Sequence, residues 1–446
     1  MAQVSDLRFL VTPGGSLQGR LRVPGDKSIS HRSIMLSAIA EGETHITGFL
    51  EGADALATLA AFRRMGVEID GPREGEVRVR GVGLRGLTAP DGPLDLGNSG
   101  TSMRLLSGLL AGQSFATTLI GDASLTKRPM RRVTEPLAAM GARIQTTETG
   151  TAPLGIEPVS SLSGMQYAMP VASAQVKSCL LLAGLYADGE TCVTEPAPTR
   201  DHTERMLTAF GYSVRTQGSR VCLTGGGRLQ GCRLRVPADI SSAAFFLVGA
   251  SIAPDSDLTL ESVGINPTRV GVINILRLMG ADIELIDRRI EGGEPVADIR
   301  VRSASLKGIR IPEDQVPLAI DEFPALFIAA ACAEGETLLT GAEELRVKES
   351  DRIQVMADGL ARLGIEAEPR ADGMRIVGGT LGSALAAEGG AIDAHGDHRI
   401  AMAFAIAGLR ASGPVEIQDC LNVETSFPGF ASLASGIGLG VREVRA

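Results

Sequence analysis

Apolar and polar positions alternate along this chain in an order that returns six times. Units begin near Leu21 (LRVPGDKSISHRSIMLSAIAEGET), Leu94 (LDLGNSGTSMRLLSGLLAG), Tyr167 (YAMPVASAQVKSCLLLAGLYADGET), Leu234 (LRVPADISSAAFFLVGASIA), Leu318 (LAIDEFPALFIAAACAEGET) and Ile392 (IDAHGDHRIAMAFAIAGLRASGP). Each predicts a short strand, a polar or glycine-rich turn and an apolar helix. Several continue through a Gly-Glu-Thr turn into alternating strands such as GETHITGF, GETCVTEP and GETLLTGA. Amphipathic stretches follow, as in DALATLAAFRRMGVEI and NILRLMGADIEL, each stopping at a glycine suited to a left-handed cap. Composition alone makes Ala/Leu/Gly helices look alike, but here the whole order recurs, at roughly 70-residue spacing. The reading is an α/β (α+β) protein built from six copies of a strand–helix–strand–helix–strand plan.

At 446 residues the chain is long enough for more than one core. Two groups of three units place the second RVP at the start of the second group. The expectation is a continuous domain over 23–235 and a discontinuous one over 1–22 plus 236–446. Chain crossings at the two RVP segments would form a hinge, a frequent home for a ligand.

A net charge of −9, no Trp and three Tyr argue against a nucleic-acid binder while leaving room for a local anion pocket. Six cysteines (Cys179, Cys192, Cys222, Cys232, Cys332, Cys420) form no CxxC pair and read as core thiols of a reduced compartment. The N-terminal stretch lacks a signal-peptide pattern, and no apolar run reaches membrane-spanning length, so a cytoplasmic protein is expected.

Charge is concentrated at the strand-to-helix turns. In GDKSISHR, Gly25 and Asp26 turn the chain, Ser28 or Ser30 can cap the helix, and Lys27 and Arg32 add positive charge. The second RVP copy lacks Lys27, His31 and Arg32. LGNSGTSMR offers a small-residue turn at Gly100, and GDASLTKRPMRR gathers Lys127, Arg128, Arg131 and Arg132. Ser173 and Gln175 in VASAQVKS suit a polyhydroxylated ligand. In the C-terminal half, Asp321 heads an apolar helix, Lys348 and Arg352 stand four apart in ELRVKESDR, and His398 and Arg399 precede another apolar helix. Taken singly, each is also an ordinary cap, loop or solvated charged face. No HExxH, Walker A or GxSxG pattern is present.

Together, PGDKSISHR, LGNSGTSMR, GDASLTKRPM, SAQVKS, ELRVKESDR and DHRIAM resemble the 5-enolpyruvylshikimate-3-phosphate synthase family, in order, over about residues 13–430. The resemblance implies two domains, each of three βαβαββ units with helices inside and sheets outside. It implies transfer of the enolpyruvyl group of phosphoenolpyruvate to the 5-hydroxyl of shikimate 3-phosphate, with release of phosphate, in the pathway to chorismate and the aromatic amino acids. No cofactor or metal is implied, the family is usually monomeric, and neither nucleic acid nor membrane is a partner.

By the same resemblance Lys27, Asp321 and Glu349 are catalytic. Lys27, Ser28, Arg32, Ser173, Ala174, Gln175, Arg200, Asp321 and Lys348 contact shikimate 3-phosphate. Lys27, Gly100, Arg128, Gln175, Arg352 and Arg399 contact phosphoenolpyruvate, and the active site lies in the cleft between domains. Two departures stand out: Glu344 where many members have Asn, and Thr425 where many have a Lys that contacts phosphoenolpyruvate. With Leu105 in place of a common Pro, they resemble the divergent, class II-like bacterial branch, in which reduced glyphosate sensitivity is common. Gly100, unlike Ala, leaves room for that inhibitor, so both outcomes stay open. The rival readings are UDP-N-acetylglucosamine enolpyruvyl transferase, disfavoured because GDASLTKRPM lacks its reactive Cys, and a non-catalytic anion-binding protein on the same scaffold.

Overall fold

The computed structural model describes residues 7–382 and 390–445. Its chain divides into two compact units. The first comprises Met1–Pro24, Ala238–Arg289 and Pro295–Ala446, and the second comprises Gly25–Pro237 and Ile290–Glu294.

Six helices open the six repeats: α1 (Lys27–Ala38), α2 (Gly100–Ala111), α3 (Ala174–Gly184), α4 (Ile240–Ile252), α5 (Phe323–Cys332) and α6 (His398–Ala407). All thirteen residues of α4 are buried, and α5 is buried from Phe323 to Ala331. A helix that is apolar on every side must lie inside. Each of its large side chains contributes about 1.5–3 kcal/mol on burial. The strands alternate buried and more exposed positions, as in Thr117–Ile120 and Leu154–Glu157, and so form the outer layer. Each unit therefore packs its helices within and its sheets outside.

One sheet plan recurs. In the second repeat, Leu94–Asp95 runs parallel to Thr117–Ile120, followed by antiparallel Leu154–Glu157 and Arg143–Gln145. The third repeat copies this with Gln166–Ala168, Glu190–Thr194, Arg220–Thr224 and Arg215–Gln217. The expected strand at Leu318 is absent; that segment is turn, because Pro312 and Pro317 deprive it of ladder donors. Lys307 and Arg310 supply the parallel bridges there instead, to Glu334 and Leu338.

The two RVP segments exchange strands. Gln18–Leu21, which leads into α1 of the second unit, pairs in parallel with Asp257–Gly264 of the first. Arg233–Arg235, which leads into α4 of the first unit, pairs in parallel with Glu41–Thr47 of the second. Asp26 N donates to Pro237 O (2.8 Å), and Asp239 N donates to Pro24 O (2.9 Å). A Cβ on Gly25 would collide with the Gly48 carbonyl, which explains glycine at this crossing.

In the first unit, Leu7–Val11 lies between Val415–Gln418 and Val441–Arg445. Phe9 stacks on Phe430 at 5.9 Å, and Phe430 also meets Phe246 at 6.0 Å and Phe427 at 5.3 Å between ring centroids.

The cysteines correct one expectation. Cys192 and Cys222 are disulfide-bonded, because antiparallel register sets them directly opposite on neighbouring strands. Cys179, Cys232, Cys332 and Cys420 take part in no disulfide among the described residues. Among the described residues, no helix is long and apolar enough to cross a membrane.

Candidate active site

The GDKS, GNSG, ASAQ and GDHR turns fall at the N-termini of the inner helices α1, α2, α3 and α6, where free N–H groups and the helix dipole already favour negative charge. In the second unit Asp26, rather than Ser28 or Ser30, caps α1 by accepting from Ile29 N at 2.9 Å. Asp26 sits at the turn itself, with its carboxylate in reach of the third helical N–H. Lys27, the first residue of α1, pairs with Asp54 of the helix Ala53–Arg64. Arg32 is buried one turn on. It donates to Thr203 Oγ1 (2.7 Å), Ser28 O (2.9 Å) and Ser178 Oγ (2.8 Å). Burial lowers its pKa to about 10, with Glu204 opposing and Arg200 reinforcing the shift.

Ser99 caps α2 by accepting from Ser102 N at 3.1 Å, which sets Gly100 at the helix mouth. A Cβ added to Gly100 would lie 3.1 Å from Arg128 Nη1 and 3.2 Å from Arg104 Nη1. Arg128 donates to Asn98 Oδ1 (2.7 Å), and Arg104 to Gln175 Oε1 (2.6 Å). Gln175 in turn donates to Thr101 Oγ1 (3.0 Å). Ser173 caps α3, accepting from Val176 N at 3.4 Å, and Ala174 is its first residue. Gly100, Arg128 and Gln175 thus meet through one hydrogen-bonded set, with Arg104 as a member the sequence analysis passed over.

His31 lies behind this set. Its Nδ1 is 2.8 Å from Thr58 Oγ1 and 3.3 Å from Ser102 Oγ, and its Nε2 is 3.5 Å from Ser99 Oγ. Burial, with Lys27 and Arg32 nearby, holds its pKa well below the ordinary 6.5, so the ring is neutral. The imidazole therefore joins α1 to the cap of α2 through hydroxyl groups.

In the first unit, Asp321, Lys348, Glu349, Arg352 and Arg399 come together. Lys348 Nζ lies 3.3 Å and Arg352 Nη1 3.5 Å from Asp321 Oδ1, and Arg399 donates to the Asp321 carbonyl at 2.9 Å. Arg352 also donates to Glu349 Oε2 (2.7 Å) and Asp397 Oδ2 (2.8 Å). Burial opposes the Arg352 charge, but Asp397, Glu349 and Asp321 outweigh it and raise its pKa above the ordinary value. Asp397 is fully buried; although burial would raise its pKa, Arg352 holds it below the usual carboxylate range.

Three details differ from the sequence reading. Asp321 caps no helix: α5 begins at Phe323 after Glu322. Lys348 and Arg352 do not share a helix, because Glu343–Val347 is a 3₁₀ turn ending at Lys348 and the next helix starts at Arg352 after the Asp351 cap. They converge on one carboxylate from different elements instead. His398 is the first residue of α6, capped by Asp397, which accepts from Arg399 N at 2.9 Å. Asp397 could have been found by comparison with Asp26, since GDH repeats the pattern of GDK.

Asp239, Arg269 and Glu322 were also missed. Arg269 donates to Ser241 Oγ (2.6 Å) and Asp239 Oδ1 (3.2 Å), and Ser241 donates to Glu322. Glu344 pairs with Lys348 at 2.9 Å. Thr425 turns its hydroxyl onto Asn422 O (2.7 Å), so this position carries no cation.

Residues 11–433 match the family model described as EPSP synthase (3-phosphoshikimate 1-carboxyvinyltransferase). The chain is 71% identical over 435 residues to the 3-phosphoshikimate 1-carboxyvinyltransferase of Alkalilimnicola ehrlichii, covering 98% of this chain and 96% of that one. Identity is 69% over 436 residues to the protein of that name from Methylococcus capsulatus, covering 98% of each. The solved EPSP synthase structure from Acinetobacter baumannii superposes with a TM-score of 0.89 at 61% identity, over 98% of this chain and 100% of that one. The recurring sheet plan, the clustered cations and carboxylates, and these likenesses over nearly the whole length agree: the chain belongs to the EPSP synthase family.

Proposed function

We propose that this chain transfers the enolpyruvyl group of phosphoenolpyruvate to the 5-hydroxyl of shikimate 3-phosphate, and that the two clusters divide the work. The observation that carries this division is Asp321, a carboxylate set between Lys348 and Arg352 and tied through its backbone to Arg399. Such a group can accept a proton while neighbouring cations hold the anionic reactants.

In the addition, the substrate hydroxyl oxygen bonds to C2 of phosphoenolpyruvate, its proton passes to a base, and C3 gains a proton. In the elimination, the C2–O bond to phosphate breaks and the new methyl group loses a proton, restoring the double bond. Asp321 takes the hydroxyl proton; Glu349 and Lys27 serve the C3 proton transfers. Arg128, Arg352 and Arg399 hold the phosphate and carboxylate of phosphoenolpyruvate, beside Gly100 and Gln175. Lys27, Ser28, Arg32, Ser173, Ala174, Gln175, Arg200 and Lys348 hold shikimate 3-phosphate. Each unit contributes some of these groups.

Any competition by glyphosate with phosphoenolpyruvate falls beside Gly100 in this reading, and the protein works as a cytoplasmic monomer. The deciding experiment is a coupled phosphate-release assay on purified protein. Release is expected only with both substrates present; no release with both would overturn the assignment. Release with UDP-N-acetylglucosamine in place of shikimate 3-phosphate would favour the related transferase.

A further inference from the structure

Behind the proposed shikimate 3-phosphate site lies a buried ion cluster to which the reaction assigns no part. Lys177, on the first turn of α3 just after Ser173, Ala174 and Gln175, is 1% exposed at its side chain. Its Nζ pairs with Glu195 Oε1 at 2.8 Å and Glu204 Oε1 at 2.7 Å. Burying a lysine is costly unless its charge is met, and here two carboxylates meet it.

The placement of those carboxylates gives the cluster its meaning. Glu195 directly follows the strand Glu190–Thr194, and Glu204 lies in the first turn of the helix His202–Ala209. Arg200 is on the segment between them. The Thr199 hydroxyl, next to Arg200, donates to the same Glu195 oxygen. On the other side of Arg200, Arg205 bonds Asp201 Oδ2 (2.8 Å), and His202 Nδ1 lies 2.7 Å from Glu294 Oε1. Thr203 donates to Ser178 Oγ (2.8 Å), beside Lys177 on α3. One ammonium thus fixes both ends of the Arg200 segment to the helix whose N-terminus carries Ser173 and Gln175. Burial pushes the Glu204 carboxyl up, and Lys177 opposes that shift.

We propose that Lys177 is a positioning residue for shikimate 3-phosphate: through Glu195 and Glu204 it sets the segment that presents Arg200 against the helix that presents Ser173 and Gln175. This rests on the reading of Arg200 as a phosphate ligand given above. It acts on one substrate's affinity and leaves the proton-transfer groups untouched.

The test pairs Lys177→Met with Thr199→Val, the second removing only the loop hydroxyl. Each variant is titrated calorimetrically with shikimate 3-phosphate alone and assayed for phosphate release. The Kd and KM for shikimate 3-phosphate are expected to rise about tenfold in Lys177→Met and about threefold in Thr199→Val, with kcat and the phosphoenolpyruvate KM within about twofold. A lysine with only a structural role would lower Tm alone, or shift both KM values and kcat together; either result overturns the proposal. Should Lys177→Met fail to fold, Thr199→Val decides, and unchanged affinity in it overturns the proposal. A parent protein that neither binds shikimate 3-phosphate nor releases phosphate would overturn the reaction assignment instead.

Discussion

The two charged clusters hold their arginines in different ways. In the first unit, Arg352 is locked by Asp397 and Glu349, and Asp321 is close by. In the second, Arg32, Arg104 and Arg128 donate to hydroxyl, amide and carbonyl oxygens. Neutral acceptors fix a guanidinium without cancelling its charge, which suits the capture of a phosphate or carboxylate. Carboxylates close to cations form a set whose proton affinities adjust one another, which suits proton transfer. In the proposed reaction the second cluster supplies anion clamps together with Lys27, and the first adds the carboxylates Asp321 and Glu349 to its own clamps Arg352 and Arg399.

The most damaging change should be Asp321→Ala. Loss of the base is expected to cut kcat by about a thousandfold while circular dichroism and melting stay near the parent's. Activity within tenfold of the parent would remove Asp321 from the proton-transfer role. Next is Asp397→Ala, which leaves Arg352 with less compensation in a fully buried place. Unfolding free energy should fall by about 3 kcal/mol, measured by urea titration. A loss below about 1 kcal/mol would make the first cluster as tolerant as the second.

Gly100→Ala probes the second cluster. Its Cβ would press on the Arg128 and Arg104 guanidinium ends at 3.1 and 3.2 Å, so both must shift by a few tenths of an ångström. The KM for phosphoenolpyruvate is expected to rise roughly fivefold, with a smaller change for shikimate 3-phosphate. Equal changes for both substrates would break the assignment of this turn to phosphoenolpyruvate.

The smallest expected effect concerns His31. Because its folded pKa lies below 6.5, the unfolded chain binds the extra proton first as pH falls. Stability is therefore full above about pH 6.5 and declines below it, at a limiting slope of about 1.4 kcal/mol per pH unit. His31→Asn should flatten the profile between pH 6.5 and 5; an unchanged slope would show that His31 is not its source.

Much of this was legible because it is local. Apolar helix runs, glycine stops and the GDK, GNSG and GDHR turns each lie within about a dozen residues, where periodicity and capping chemistry speak directly. Asp321, Lys348 and Arg352 could be nominated from their motifs, yet their convergence on one carboxylate could not, because a cap at Asp351 separates Lys348 from the helix of Arg352. Pairing over long separations was also hidden. The opposition of Cys192 and Cys222 depends on register, and the strand exchange between the RVP segments depends on partners more than 180 residues apart. Lys177 escaped notice because a lysine beside the polar turn of VASAQVKS reads as solvated until its carboxylates are found.

The strand Leu7–Val11 closes the sheet formed by Val415–Gln418 and Val441–Arg445. On a ribosome this sets an order of events. The second unit's main stretch, Gly25–Pro237, includes its own closing strand Arg233–Arg235 and can assemble as it emerges. The apolar LRFLV segment must wait for partners made some 400 residues later, about 20–80 s at roughly 5–20 residues per second. Throughout that interval its backbone N–H and C=O groups are without their strand partners on either side. The late return of the chain to its own beginning makes completion of this sheet wait for the strand Val441–Arg445.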